Sequence, residues 1–190
     1  MIKSSEAVRV ISQHRNQAIV VATMTARDEW TQLPNNPDLD LGLGGCMGKA
    51  SSLGLGLALA LPAKKVIVLD TDGSLLMNLG SLVTIANMSP PNLIHFVFEN
   101  SVYYKSGSQP IPNAGKLSFT GLAKEAGYAN VHECEELEGL ENDIETMLNQ
   151  MGPTFVCLKV LSAAARVPFS GEIISKISPQ FKLTVQTLAR

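Results

Sequence analysis

Between Val66 and Asn100 the chain twice runs a mostly apolar stretch into a short polar turn. Val66-Ile67-Val68-Leu69 leads to Asp70-Thr71-Asp72-Gly73-Ser74, an apolar helical stretch follows, and Leu93-Ile94-His95-Phe96-Val97-Phe98 ends in Glu99-Asn100. Runs that are apolar on both faces belong to strands inside a parallel sheet covered by helices. A crossover between two such strands brings both polar ends to one edge of the sheet, where ligands of such folds sit. That edge then carries a carboxylate, a carboxamide and a Gly-Ser turn opening a helix. A helix N-terminus offers only about half a positive charge, so an Asp facing a diphosphate there would repel it. A Mg²⁺ between the two turns repulsion into binding, and its preference for oxygen ligands suits Asp72 and Asn100. On these residues alone the plainer reading, a capped strand-to-helix turn, stays open.

The rest of the chain repeats the alternation of strand and helix. Glu6 to Ile11 is amphipathic and ends near His14 to Gln17; Ala18 to Thr23 is a buried strand. Ala26 to Leu33 reads as a short helix stopped by Pro34-Asn35-Asn36-Pro37, and Leu39 to Leu43 as a short strand feeding Gly44-Gly45-Cys46-Met47-Gly48. Lys49 to Leu61 is a helix rich in Gly, Ser and Ala, where each Gly costs about 1 kcal/mol against Ala. Its backbone is therefore expected to lie close to a ligand, a sheet or another subunit. Ser101 to Lys116 is a polar loop, Ser118 to Gly127 a capped helix, Val131-His132 part of a strand, Leu137 to Gln150 an acidic outer helix and Phe155 to Leu161 a last buried strand. The expected fold is α/β, a three-layer α/β/α arrangement around a mostly parallel sheet. One domain over residues 1–170 is followed by a C-terminal arm, 171–190, and the chain from Ser162 to Arg190 reads as extended with one short helix.

At 190 residues and 45% apolar content the chain has material for one well-buried domain. A net charge of -2 gives no electrostatic case for nucleic acid or acidic membranes. The longest apolar run, Leu53 to Leu61, falls far short of a membrane span. Cys46, Cys134 and Cys157 are scattered, which fits a reducing compartment, so the cytoplasm is the expected location. Gly48-Lys49 fails as a phosphate-loop ending because Leu43 and Ala50 stand where Gly and Ser/Thr are required. Gly42-Leu43-Gly44 fails as a dinucleotide motif because Met47 takes the third Gly position. His95 reads as a packed core residue, and His14 and His132 as surface or strand-edge groups. The acidic stretch Glu133 to Glu145 reads as a solvated face.

Asp72-Gly73-Ser74 followed by Asn100 resembles the Asp-Gly…Asn motif of thiamine diphosphate enzymes. The resemblance runs over roughly Met1 to Ser170 and is closest to the sulfopyruvate and phosphonopyruvate decarboxylases, in particular the free-standing β subunit of the former. It is carried by Gly45 to Ser52, Gly80 to Ile85 and, less closely, Ser106 to Pro110. It implies Mg²⁺ ligands at Asp72, Asn100 and the Val102 carbonyl, and a diphosphate against Gly73 and Ser74. It further implies an aminopyrimidine gripped by Gly45, Cys46 and Met47, with Met47 as the wedge that bends the cofactor. Tyr103, Tyr104 and Lys105 follow the metal ligands and are placed to reach cofactor or substrate anion. Thr71, Glu99, Ser108 and Cys46 depart from the family pattern, with Thr71 expected to crowd the diphosphate.

Thiamine catalysis also needs a Glu against the pyrimidine ring, which the family takes from a separate pyrimidine-binding domain. No acid here follows that motif. The resemblance therefore implies a lyase subunit with thiamine diphosphate and Mg²⁺, no catalytic residue of its own, and a heteromer with a pyrimidine-domain chain. Its expected reaction is decarboxylation of a three-carbon 2-oxo acid with an anionic tail, such as sulfopyruvate or phosphonopyruvate. Alternatives are a subunit of carboligase type, or a non-catalytic binding or assembly protein with a degraded site.

Overall fold

The computed structural model describes residues 1–34, 36–161 and 174–188. In chain order the elements are β1 (Ile2–Lys3), α1 (Ser4–His14), β2 (Ile19–Thr23), α2 (Met24–Trp30), β3 (Asp40–Leu43) and α3 (Ala50–Ala60). Then come β4 (Val66–Thr71), α4 (Asp72–Leu76), α5 (Ser81–Met88), β5 (Leu93–Glu99), β6 (Val102–Tyr103) and β7 (Gln109–Pro110). The chain continues through α6 (Phe119–Ala126), β8 (Asn130–Cys134), α7 (Leu137–Asn149), β9 (Thr154–Leu161) and α8 (Ile174–Leu188).

Seven strands form one parallel sheet in the order β3-β2-β4-β5-β9, with β8 and β1 sharing the far edge of β9. Val68 pairs with His95 and Phe96 with Val156, so β4, β5 and β9 are the buried centre. Alternate residues feed two separate cores, as the period of two in a strand requires. Val66, Val68, Leu93, Val97, Phe155 and Cys157 face a layer of α3, α5, α6 and α8; Ile67, Leu69, Ile94, Phe96, Val156 and Leu158 face α1, α2 and α7. The fold is the expected three-layer α/β/α arrangement.

The small residues of α3 work as expected at one position. A Cβ on Gly54 would stand 2.2 Å from Val68 Cγ2, so only glycine lets α3 settle onto β4. Gly56 meets nothing within 4 Å on the outer side. The apolar stretch after Ser74 is two helices rather than one, because Met77 to Gly80 turns the chain between α4 and α5. Ser118 caps α6 by accepting from the Gly121 N–H at 2.9 Å, and Gly127 ends it with φ 101°. Within the segment read as the arm, α8 is a 15-residue helix, and Phe181 is buried in the core beside α3 and β3. The extended stretch expected over 162–173 lies outside the described residues. Among the described residues no helix is long and apolar enough to cross a membrane.

Strand order and layer together create a crevice. From β2 the chain leaves into α2, packed on one face; from the neighbouring β4 it leaves into α4 and α5, on the other. Departures to opposite faces from adjacent strands leave an opening at their carboxyl ends, where ligands enter sheets of this kind.

Candidate functional site

Asp72 stands at that opening, on the first turn after β4, with 1% of its surface exposed. Its Oδ1 accepts from the Gly73 N–H at 2.7 Å, and its Oδ2 from Asn100 N–H at 2.9 Å and Ser101 N–H at 2.6 Å. The two strand ends predicted to act together are thus joined directly. Asn100 Oδ1 in turn accepts from the Val102 N–H at 3.0 Å, fixing its amide beside the β6–β7 hairpin. Among the described residues no cation pairs with Asp72. Burial pushes its carboxyl up to about 6, its three N–H donors work in the other direction, and Glu99 adds a further upward push. A buried carboxylate with hydrogen bonds but no counter-charge is a place where a cation is stabilising. Asp72, Asn100 and the Val102 carbonyl offer the hard oxygen donors that Mg²⁺ takes, so the donor set fits that ion.

Two departures from the family pattern have local explanations. Thr71 is the N-cap of α4: its Oγ1 accepts from the Ser74 N–H at 3.4 Å, in the role Ser and Thr commonly take. Glu99 belongs to a different network. Its Oε2 receives Lys159 Nζ at 2.7 Å and the Cys157 thiol at 3.1 Å, both from β9. Burial and Glu99 push the Cys157 thiol well above its usual range.

The Gly45 to Gly48 segment is tied to the turn after β4. Gly48, with φ 72°, donates its N–H to Ser74 Oγ at 3.0 Å, and its carbonyl accepts from Asn78 Nδ2 at 3.0 Å. The break between α4 and α5 therefore holds the predicted aminopyrimidine grip in place. Ser74 is fully buried and its hydroxyl is engaged with Gly48. Gly45 has φ 67° and is exposed, and Cys46 Sγ lies 3.4 Å from the Gly44 carbonyl.

Two clefts meet here. One, of about 290 Å³, is lined by Met47, Thr71, Gly73, Asn100, Val102, Tyr103 and Tyr104 among others. The second, of about 440 Å³, is lined by Leu43, Gly44 and Gly45 on one side and Arg27 and Asp28 on the other. Met24 and Lys105 line both. Gly73 carries the Tyr103 ring directly against its backbone, since a Cβ there would lie 2.6 Å from Tyr103 Cδ1. The structure thus brings Met47, Gly73, Asn100, Val102, Tyr103 and Tyr104 around one opening, with Gly45 in the adjoining cleft; Asp72 is buried beside it and joined to Asn100, while Cys46 and Ser74 line neither cleft.

Sequence reasoning missed the β2 side of the opening. Met24 begins α2 with φ 53°, a strained conformation for a residue with a side chain. Arg27 and Asp28 follow, both buried, with Arg27 Nη1 3.4 Å from Asp28 Oδ1. Lys105 Nζ reaches across from the loop to pair with Asp28 Oδ2. Burial and the neighbouring Arg27 hold the Lys105 ammonium below its ordinary range. An adjacent Arg-Asp pair just past a predicted buried strand was the available signal. His95 is a core residue as expected, edge-on to Phe155 and 3.4 Å from both Asp70 and the Tyr128 hydroxyl.

Residues 21–158 match the family model described as thiamine pyrophosphate enzyme, C-terminal TPP binding domain. A phosphonopyruvate decarboxylase from Streptomyces viridochromogenes is 35% identical over 152 residues, which cover 80% of this chain and 38% of that protein. The β subunit of a sulfopyruvate decarboxylase from Methanocaldococcus jannaschii is 44% identical over 106 residues, covering 56% of this chain and 55% of that protein. The chain therefore spans less than two thirds of either relative's length. Among solved structures, a candidate thiamin diphosphate-dependent enzyme isolated from Mycobacterium smegmatis superposes with a TM-score of 0.72 at 23% identity. That match covers 85% of this chain and 32% of the other, and it bears on the fold.

Proposed function

The chain belongs to the thiamine pyrophosphate enzymes, matching their C-terminal cofactor-binding domain, and from that premise we propose that it is the diphosphate-binding subunit of a 2-oxo acid decarboxylase. In this reading residues 1–170 are the cofactor domain and 171–190 its arm, and the substrate is a small 2-oxo acid of the sulfopyruvate or phosphonopyruvate type. The compartment is the cytoplasm. The observation that carries it is the Asp72 carboxylate, buried at the sheet edge, joined to Asn100 through its N–H and paired with no cation among the described residues.

Each residue has a stated task. Asp72, Asn100 and the Val102 carbonyl would hold Mg²⁺, and the start of α4 at Gly73 and Ser74 would meet a diphosphate once the Tyr103 ring, which lies against Gly73 here, moves aside. Thr71 caps that helix through its hydroxyl and also lines the cleft beside Gly73 and Asn100. Met47 and Gly45 orient the ring system, with the Ser74 and Asn78 hydrogen bonds holding Gly48 at the base of that segment. Thiamine diphosphate, when bound, supplies a nucleophilic carbon and an electron sink for loss of CO₂. The tyrosines Tyr103 and Tyr104 cover the site and exclude water.

The activating carboxylate comes from elsewhere. Among the described residues the acid lining either cleft is Asp28, and Arg27 and Lys105 already engage it. A pyrimidine-domain partner chain would supply that group, forming a heteromer with the cofactor at the interface. Purified with Mg²⁺ and thiamine diphosphate, this chain should release no CO₂ from any 2-oxo acid until the partner is added. Robust turnover by this chain alone contradicts the split site, and no turnover with a cofactor-loaded partner complex contradicts the decarboxylase reading.

A further inference from the structure

We propose, resting on the reading above, that Arg27, Asp28 and Lys105 form the subsite for the oxyanion tail of the substrate. The relevant chemistry is a carboxylate, sulfonate or phosphonate group at the end of a short 2-oxo acid, remote from the carbon that loses CO₂. Two cations converge on one carboxylate here, and they are held differently. Arg27 is 3% exposed and packed under β3, where a Cβ at Gly42 would stand 3.1 Å from its Nε. Lys105 sits on a single 3-10 turn, Tyr104–Ser106, between two two-residue strands, and its side chain is 27% exposed.

Arg27 is therefore the fixed partner of Asp28 and Lys105 the exchangeable one. An oxyanion arriving at the junction can take the Lys105 ammonium while Arg27 remains beside Asp28, so no buried charge is left without a counterpart. Position favours a substrate over the cofactor's diphosphate as the anion. Lys105 and Met24 line both clefts, so a tail taken by Lys105 sits at their junction, beside the Gly44–Gly45 cleft that the ring system would take and apart from the Gly73–Asn100 end.

The test uses the full chain with ¹³C-methyl methionine, following the Met24 methyl as ethanesulfonate is titrated in, and in parallel the affinity for thiamine diphosphate with Mg²⁺. Lys105→Met should weaken ethanesulfonate at least about tenfold, Lys105→Arg should restore it to within about threefold, and in both the change in cofactor affinity should be smaller than the Lys105→Met loss for ethanesulfonate. Unchanged ethanesulfonate binding in Lys105→Met overturns the proposal. So does a tenfold loss of cofactor affinity with ethanesulfonate unaffected, which would assign Lys105 to the diphosphate. Should the parent bind ethanesulfonate in a Lys105-dependent way and no cofactor, the subsite stands and the cofactor reading falls.

Discussion

Asp72 and Asp28 are both buried carboxylates at the carboxyl edge of the sheet, and of the two only Asp28 is paired with cations among the described residues. Asp72 receives three backbone N–H groups, which orient it and leave its full charge in place. Asp28 receives Arg27 and Lys105, so its charge is cancelled within the chain. The difference separates a carboxylate with no cation beside it among the described residues, which the proposed function assigns to Mg²⁺, from one already paired with two cations. Glu99, three residues from the hairpin and engaged with Lys159, belongs with Asp28 in this respect.

The largest expected effect breaks the Asp28 side. Asp28→Ala leaves Arg27 and Lys105 converging without their shared carboxylate, and breaking a buried pair of this kind costs about 4 kcal/mol. Chemical denaturation of the apo chain should show that loss, while Asp72→Ala, which removes a carboxylate with no cationic partner, should lower stability far less. Equal losses would mean that the two sites are not different in kind.

A second prediction concerns pH. Asp72 titrates near 6 in the folded chain against an ordinary value of 3.8, so the folded state holds its proton more tightly than the unfolded one. The stability this gives is fully present below about pH 4 and is lost as pH rises through about 6, a change on the order of 2–3 kcal/mol. Burial raises Glu29 and Asp40 in the same direction, so the Asp72 share is the part of the apo slope that vanishes in Asp72→Ala. Saturating Mg²⁺ and cofactor should remove the same part, because the bound cation favours the charged form.

The smallest effect sharpens the Lys105 role. With its side chain 27% exposed, Lys105→Met should change apo stability by less than about 1 kcal/mol. A thermal melt showing a larger loss would make Lys105 a structural strut.

The Asp72 side of the comparison was legible in the sequence and the Asp28 side was not. Strands such as Val66 to Thr71 and Leu93 to Glu99 announce themselves by being apolar on both faces, and their ends fix where Asp72 and Asn100 go. Gly54 was legible as a close approach, though only the packed structure identifies Val68 as what it approaches. Asn78 was invisible: its value lies in a hydrogen bond to Gly48, thirty residues away, across a turn that apolar periodicity does not mark. Lys105 and Asp28 are separated by 77 residues, and nothing in either local pattern pairs them before α2 and the hairpin are docked. Thr71 and Glu99 looked like defects in a motif because a motif records identities, while the cap on Ser74 and the partner on β9 are properties of the fold.

The central claim is that Asp72 and Asn100 hold a metal ion that holds a diphosphate. Isothermal titration of thiamine diphosphate into the chain, with Mg²⁺ and then with the metal chelated, tests it most directly, using the parent, Asp72→Ala and Asn100→Ala. The account predicts saturable binding that requires Mg²⁺ and weakens by about a hundredfold or more in either variant, equivalent to about 2.7 kcal/mol. Binding that survives chelation, or that is unchanged in both variants, would contradict it.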